Sequence, residues 1–109
     1  MLLSLAAVLL APVHLDDVSA EEYAQCAYVA SLQSQAPGTS EANKKAWTDK
    51  AKTYLAKAAA TAYPGRKATD AETRALGVAA AAKIKADMKD LDGRDADILL
   101  GEKIMICEL

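Results

Sequence analysis

Three residue types that build active sites and cores are scarce in this chain of 109 residues: one histidine, two cysteines and no phenylalanine. The single histidine, His14, falls inside an amino-terminal segment read below as a leader, so residues 21–109 hold none. That excludes imidazole sites, and with them any Cys–His or Ser–His nucleophile pair. No Gly-x-Ser-x-Gly elbow occurs, and the five glycines nowhere form a phosphate-cradling loop. Two cysteines near opposite ends, without histidine, cannot supply the four ligands of structural zinc. One tryptophan and four tyrosines are the whole aromatic complement, so the core is expected to be thin and alanine-rich.

What is present starts with an apolar run. Residues 2–13 carry no charge and one hydroxyl. This is the length of a signal-peptide core and well short of the roughly 20 residues that span a bilayer. Val18, Ser19 and Ala20 then place small side chains at the last and third-last positions before a cut. No Lys or Arg precedes the run. Residues 1–20 are expected to be an export leader, with a single helical domain over 21–109. Removing Asp16 and Asp17 with the leader leaves 13 Lys and Arg against 13 Asp and Glu. A neutral, mixed-charge chain has no general attraction for nucleic acid or anionic membrane. After leader removal, no stable membrane insertion is expected. Export makes the expected location periplasmic or secreted.

Both cysteines, Cys26 and Cys107, lie in the mature part, and in an oxidising compartment two such cysteines pair. Closing a loop of about 80 residues is worth roughly 4–5 kcal/mol in the chain-entropy model. That is a large share of a typical net stability of about 5–10 kcal/mol.

Helix punctuation divides the rest. Ser19-Ala-Glu-Glu22 fits a capping box, with Val18 and Tyr23 spaced as a hydrophobic staple. The same Ser19 belongs to the cleavage signal, and the two readings compete. Helix one is predicted over about 20–35, ending at Ala36-Pro37-Gly38, with Tyr23, Cys26, Ala27 and Ala30 on one face. Ser40 caps a second helix, about 41–63, along Trp47, Ala51, Tyr54, Leu55, Ala58 and Ala62. Pro64-Gly65 stops it. Thr69-Asp-Ala-Glu72 is a second capping box and opens helix three, about 70–91, along Leu76, Ala80, Ile84, Met88 and Leu91. Gly93 is placed to end that helix in a left-handed cap, and Asp95 to cap a fourth. In the tail, Leu100, Ile104 and Cys107 make a helical stripe. Lys103-Ile-Met-Ile-Cys107 also reads as a strand, but without a partner strand the helix is favoured. The expected fold is all-α: an up-down bundle of three helices plus a short fourth, closed by one disulfide.

Candidate sites are few. Asp90, Asp92, Asp95 and Asp97 cluster around Gly93, but an EF-hand with Gly93 at position 6 would put Met88 at position 1 and Leu99 at position 12. The register fails, and a helix–turn–helix corner explains the acids. Pro64-Gly-Arg-Lys67 reads as a solvated loop. Acid–base chemistry would have to use carboxylates alone, and these stand mostly in the helical company of lysines. Tyr28 and Leu32 fall off the face of Tyr23 and Cys26 and form a second apolar stripe on helix one. They are either covered by another helix or a contact surface.

In plan, with a leader, a short helical mature chain and one disulfide, the sequence resembles the small periplasmic helical chaperones of the acid-stress kind. The cysteines here bracket nearly the whole domain, and no residue roles carry over. The expected function is non-enzymatic contact with a protein partner, as chaperone, inhibitor or envelope accessory, without cofactor or metal. The alternative is a carrier that holds a small apolar ligand between its helices.

Overall fold

Ser19 caps the first described helix by closing the expected box: its hydroxyl accepts from the Glu22 amide at 3.1 Å, and the Glu22 carboxylate accepts from the Ser19 amide at 3.0 Å. The structure, a computed structural model, describes residues 18–108. The expected leader lies outside the described residues as far as residue 17. Four helices follow: α1 (Ala20–Ser34), α2 (Glu41–Ala62), α3 (Asp70–Met88) and α4 (Gly93–Glu108). Among the described residues there is no strand, so the tail is the helix that its stripe indicates.

The joints follow from local chemistry. Gly38, at φ 82°, and Gly65, at φ 87°, take the left-handed turns that stop α1 and α2, a region a Cβ makes costly. Ser40 accepts from the Asn43 amide at 3.2 Å to open α2. Thr69 and Glu72 exchange the reciprocal bonds of a capping box at the start of α3.

The joint between α3 and α4 departs from expectation. Helix α3 stops at Met88, and residues 89–92 form a turn in which the Leu91 amide reaches the Met88 carbonyl at 3.0 Å. Gly93 does not adopt a positive φ; it is the first residue of α4. The cap is Asp92, whose carboxylate accepts from the Asp95 amide at 2.8 Å. Two aspartates spaced by three compete to cap, and the earlier one wins because its carboxylate reaches the third helical amide. Asp95 then becomes a first-turn acid, favourable against the helix dipole. Leu91, expected in the buried stripe of α3, falls in the turn and is exposed.

Helix α1 is the hub of the packing. It touches α2, α3 and α4, while α2 also meets α3. Six of its residues are buried, whereas α2 and α3 bury two each and α4 none. Ala24, Ala58 and Ala80 meet as a cluster with one alanine from each of the first three helices. Small side chains let the three backbones approach closely. A second cluster joins Cys26, Ala27, Ala30 and Tyr54, with Trp47, Leu55, Ile104 and Cys107 packed around it. The largest fully buried side chains are only Ile84, Val29 and Cys26. At about 1.5–3 kcal/mol for each large aliphatic buried, this core yields little surplus. The disulfide supplies a covalent substitute: Cys26 and Cys107 are bonded with Cα atoms 6.5 Å apart, tying α4 to α1.

Candidate functional site

The inner face of α4 carries Leu100, Ile104 and Cys107, all half-buried against the body. Spacing at 100° per residue sends Ile98 and Met105 to the opposite side. They are 50% and 62% exposed, among the largest apolar exposures described. By the same spacing Asp95 and Glu102 run along one edge of this ridge and Arg94 lies one turn before Ile98, all three exposed. The result is an apolar strip with two acids along one edge and one cation at its amino-terminal end. Sequence reasoning followed only the inner stripe of α4, although Ile98 and Met105, seven residues apart, already made a second one.

The other side of the molecule is different. Between the second half of α2 and the start of α3 lies an open hollow of about 410 Å³, walled by Leu55, Ala56, Ala59, Ala60 and Ala68. Lys52, Arg66, Lys67 and Asp70 stand on its rim. Arg66 is already engaged, gripping both oxygens of Glu72 at 2.9 and 2.7 Å and lying 4.6 Å from the Tyr63 ring centroid. That grip, with the Thr69 amide second, holds the Glu72 carboxyl down to about 2. Lys52 and Lys67 make no ion pair among the described residues.

Tyr28 and Leu32, the contact residues expected from sequence, are both half-buried. Tyr28 lines a neighbouring open hollow of about 350 Å³ with Ala24, Ala27, Leu55 and Gly77, and Lys85 Nζ lies 6.0 Å from its ring centroid. Leu55 and Lys52 wall both hollows, which therefore adjoin along α2. Neither hollow is an enclosed interior cavity; both open to solvent. Among the described residues, no group of three or more His, Cys, Asp or Glu is placed to hold a metal ion. No helix among them is long and apolar enough to cross a membrane.

Comparison with known proteins adds nothing to this geometry: no family model, no curated protein and no solved structure matches the chain.

Proposed function

We propose that this chain is an exported helical module that acts without catalysis, by binding a protein through the outer face of α4. One observation carries the reading. Ile98 and Met105 keep half or more of their surface in water, although the opposite face of the same helix is fixed to the body by a disulfide. Exposing a large apolar strip on a covalently anchored helix is costly for solubility and useful for contact. Asp95 and Glu102 along one edge suit a partner segment with an apolar stripe and a basic flank. A disulfide that joins the ends of a thin-cored domain supports a periplasmic or secreted location. The short apolar run before Ala20 supports processing to a chain that begins at Glu21. That cut would remove Ser19 and so exchange the α1 capping box for a charged amino terminus.

The test places a photo-crosslinking amino acid at position 105 of the full chain, expressed in its native envelope. A protein adduct that disappears with Ile98→Asp is the expected result. Absence of any adduct from positions 98 and 105 would refute the reading. Intact mass of the recovered chain reports separately whether it starts at Glu21 or Met1.

A further inference from the structure

The two surfaces described above are complementary to each other, and both belong to one chain. The ridge on α4 is convex and apolar, with Asp95 and Glu102 along one edge outnumbering Arg94, which lies one turn before Ile98. The hollow between α2 and α3 is concave, lined by alanine methyls and Leu55, and edged by Lys52 and Lys67, which make no ion pair among the described residues. Asp70 on the same rim opposes one of those charges, and the Arg66–Glu72 pair is self-neutral. We infer that the partner of the α4 ridge is a second copy of this chain, which receives Ile98 and Met105 in its α2–α3 hollow with Glu102 facing Lys52 and Asp95 facing Lys67. This rests on the reading of α4 as the contact face and names what it contacts.

A chain cannot satisfy itself. Cys107 fixes the inner face of α4 to α1, and no residue of α4 lines the hollow. The contact therefore runs between molecules. It is also heterologous, since ridge and hollow are different patches. Each added copy then presents a fresh ridge and a fresh hollow, and assembly proceeds head to tail instead of stopping at a symmetric pair. Desolvation of the two side chains supplies the attraction. The charged rims set the register and make the association sensitive to salt.

Sedimentation analysis of the oxidised protein, over concentrations up to about 1 mM, is the direct measurement, because weak contacts have dissociation constants in that range. Average mass should climb past a dimer with concentration and fall back in high salt. Two variants at exposed positions, Met105→Asp in the ridge and Ala56→Glu in the hollow, should each weaken association at least tenfold while leaving the circular dichroism spectrum unchanged. Mixed together, they should form a 1:1 complex that grows no further, because each retains one intact surface. Lys52→Glu should weaken association, and adding Glu102→Lys to the same chain should restore it. A wild type that stays monomeric overturns the inference, as does a mixture that fails to form the capped pair. If Met105→Asp abolishes association but Ala56→Glu does not, ridge pairs with ridge and the hollow is not the receptor. A monomeric protein that still crosslinks to another protein from position 105 refutes self-docking alone. Failure of both measurements refutes the contact face itself.

Discussion

The phenol of Tyr54, in the middle of α2, donates a hydrogen bond to the carboxylate of Glu108 on the last turn of α4. Lys50 Nζ meets the other carboxylate oxygen at 3.1 Å. Tyr54 is buried, whereas Glu108 is exposed. The pair is therefore a latch: a core residue of one helix reaches out to hold the end of another whose inner residues are only half-buried. Tyr54→Phe keeps the ring packing and deletes the donor. It should cost about 1 kcal/mol, or roughly 4–8 °C in melting temperature for a domain of this size. A double-mutant cycle with Glu108→Gln should show coupling of about 0.5–1.5 kcal/mol. Strict additivity of the two changes would show that the latch contributes nothing.

The disulfide is expected to matter more. Sγ of Cys26 lies 3.2 Å from the Lys103 carbonyl oxygen, and Sγ of Cys107 lies 3.6 Å from that of Glu22. Serine at either position would find an acceptor, so the pair Cys26→Ser with Cys107→Ser removes the covalent link without orphaning a buried hydroxyl. Its melting temperature should fall by about 10 °C or more, since an alanine core offers little to offset a restored loop entropy of roughly 4–5 kcal/mol. An unchanged melting temperature would show that packing of α1 against α4 suffices alone.

Acid should loosen the start of α3. The carboxyl of Glu72 is depressed from 4.5 to about 2, first by Arg66 and then by the Thr69 amide, and its side chain is half-buried beneath that grip. A depressed folded value means that its stabilisation is complete above about pH 4.5 and is lost as pH falls towards 2. Thermal melts of wild type and Glu72→Gln should therefore converge through that window and stay parallel between pH 6 and 8, values chosen well above it. Curves that remain equally separated from neutrality down to pH 2 would show that Arg66 and the cap do not act through the ionised carboxylate.

Two interior glycines are expected to be dispensable for folding. A Cβ at Gly77 would meet Leu55 Cδ1 at 3.9 Å, ordinary contact, and one at Gly101 would meet nothing within 4 Å. Neither residue has a positive φ. Gly77→Ala and Gly101→Ala should each raise stability by about 0.5–1 kcal/mol in urea unfolding. A loss at Gly77 would mean that the α2–α3 approach is tighter than the backbone indicates.

The sequence by itself determined the helices, because capping and turn chemistry are local. Ser19 with Glu22, Ser40, Thr69 with Glu72, Gly38 and Gly65 each act within a few residues, so the spacing alone locates the element ends. It also determined the all-α class and placed Cys26 and Cys107 on the inner stripes of their helices. Where two local solutions were equally good, sequence could not choose. Asp92 and Asp95 both cap acceptably, and the choice moved the end of α3, the start of α4 and the exposure of Leu91. Only the tertiary structure decided which of several amphipathic faces is covered. Burial depends on which neighbours arrive, and α1 has three while α4 leans chiefly on α1. That is why Val29 and Gln25, outside any obvious stripe, are buried at the hub, with the Gln25 amide donating to Glu21 at 3.2 Å. It is also why Ile98 and Met105, apolar and helically spaced like any core pair, remain exposed: no other helix among the described residues covers the far side of α4.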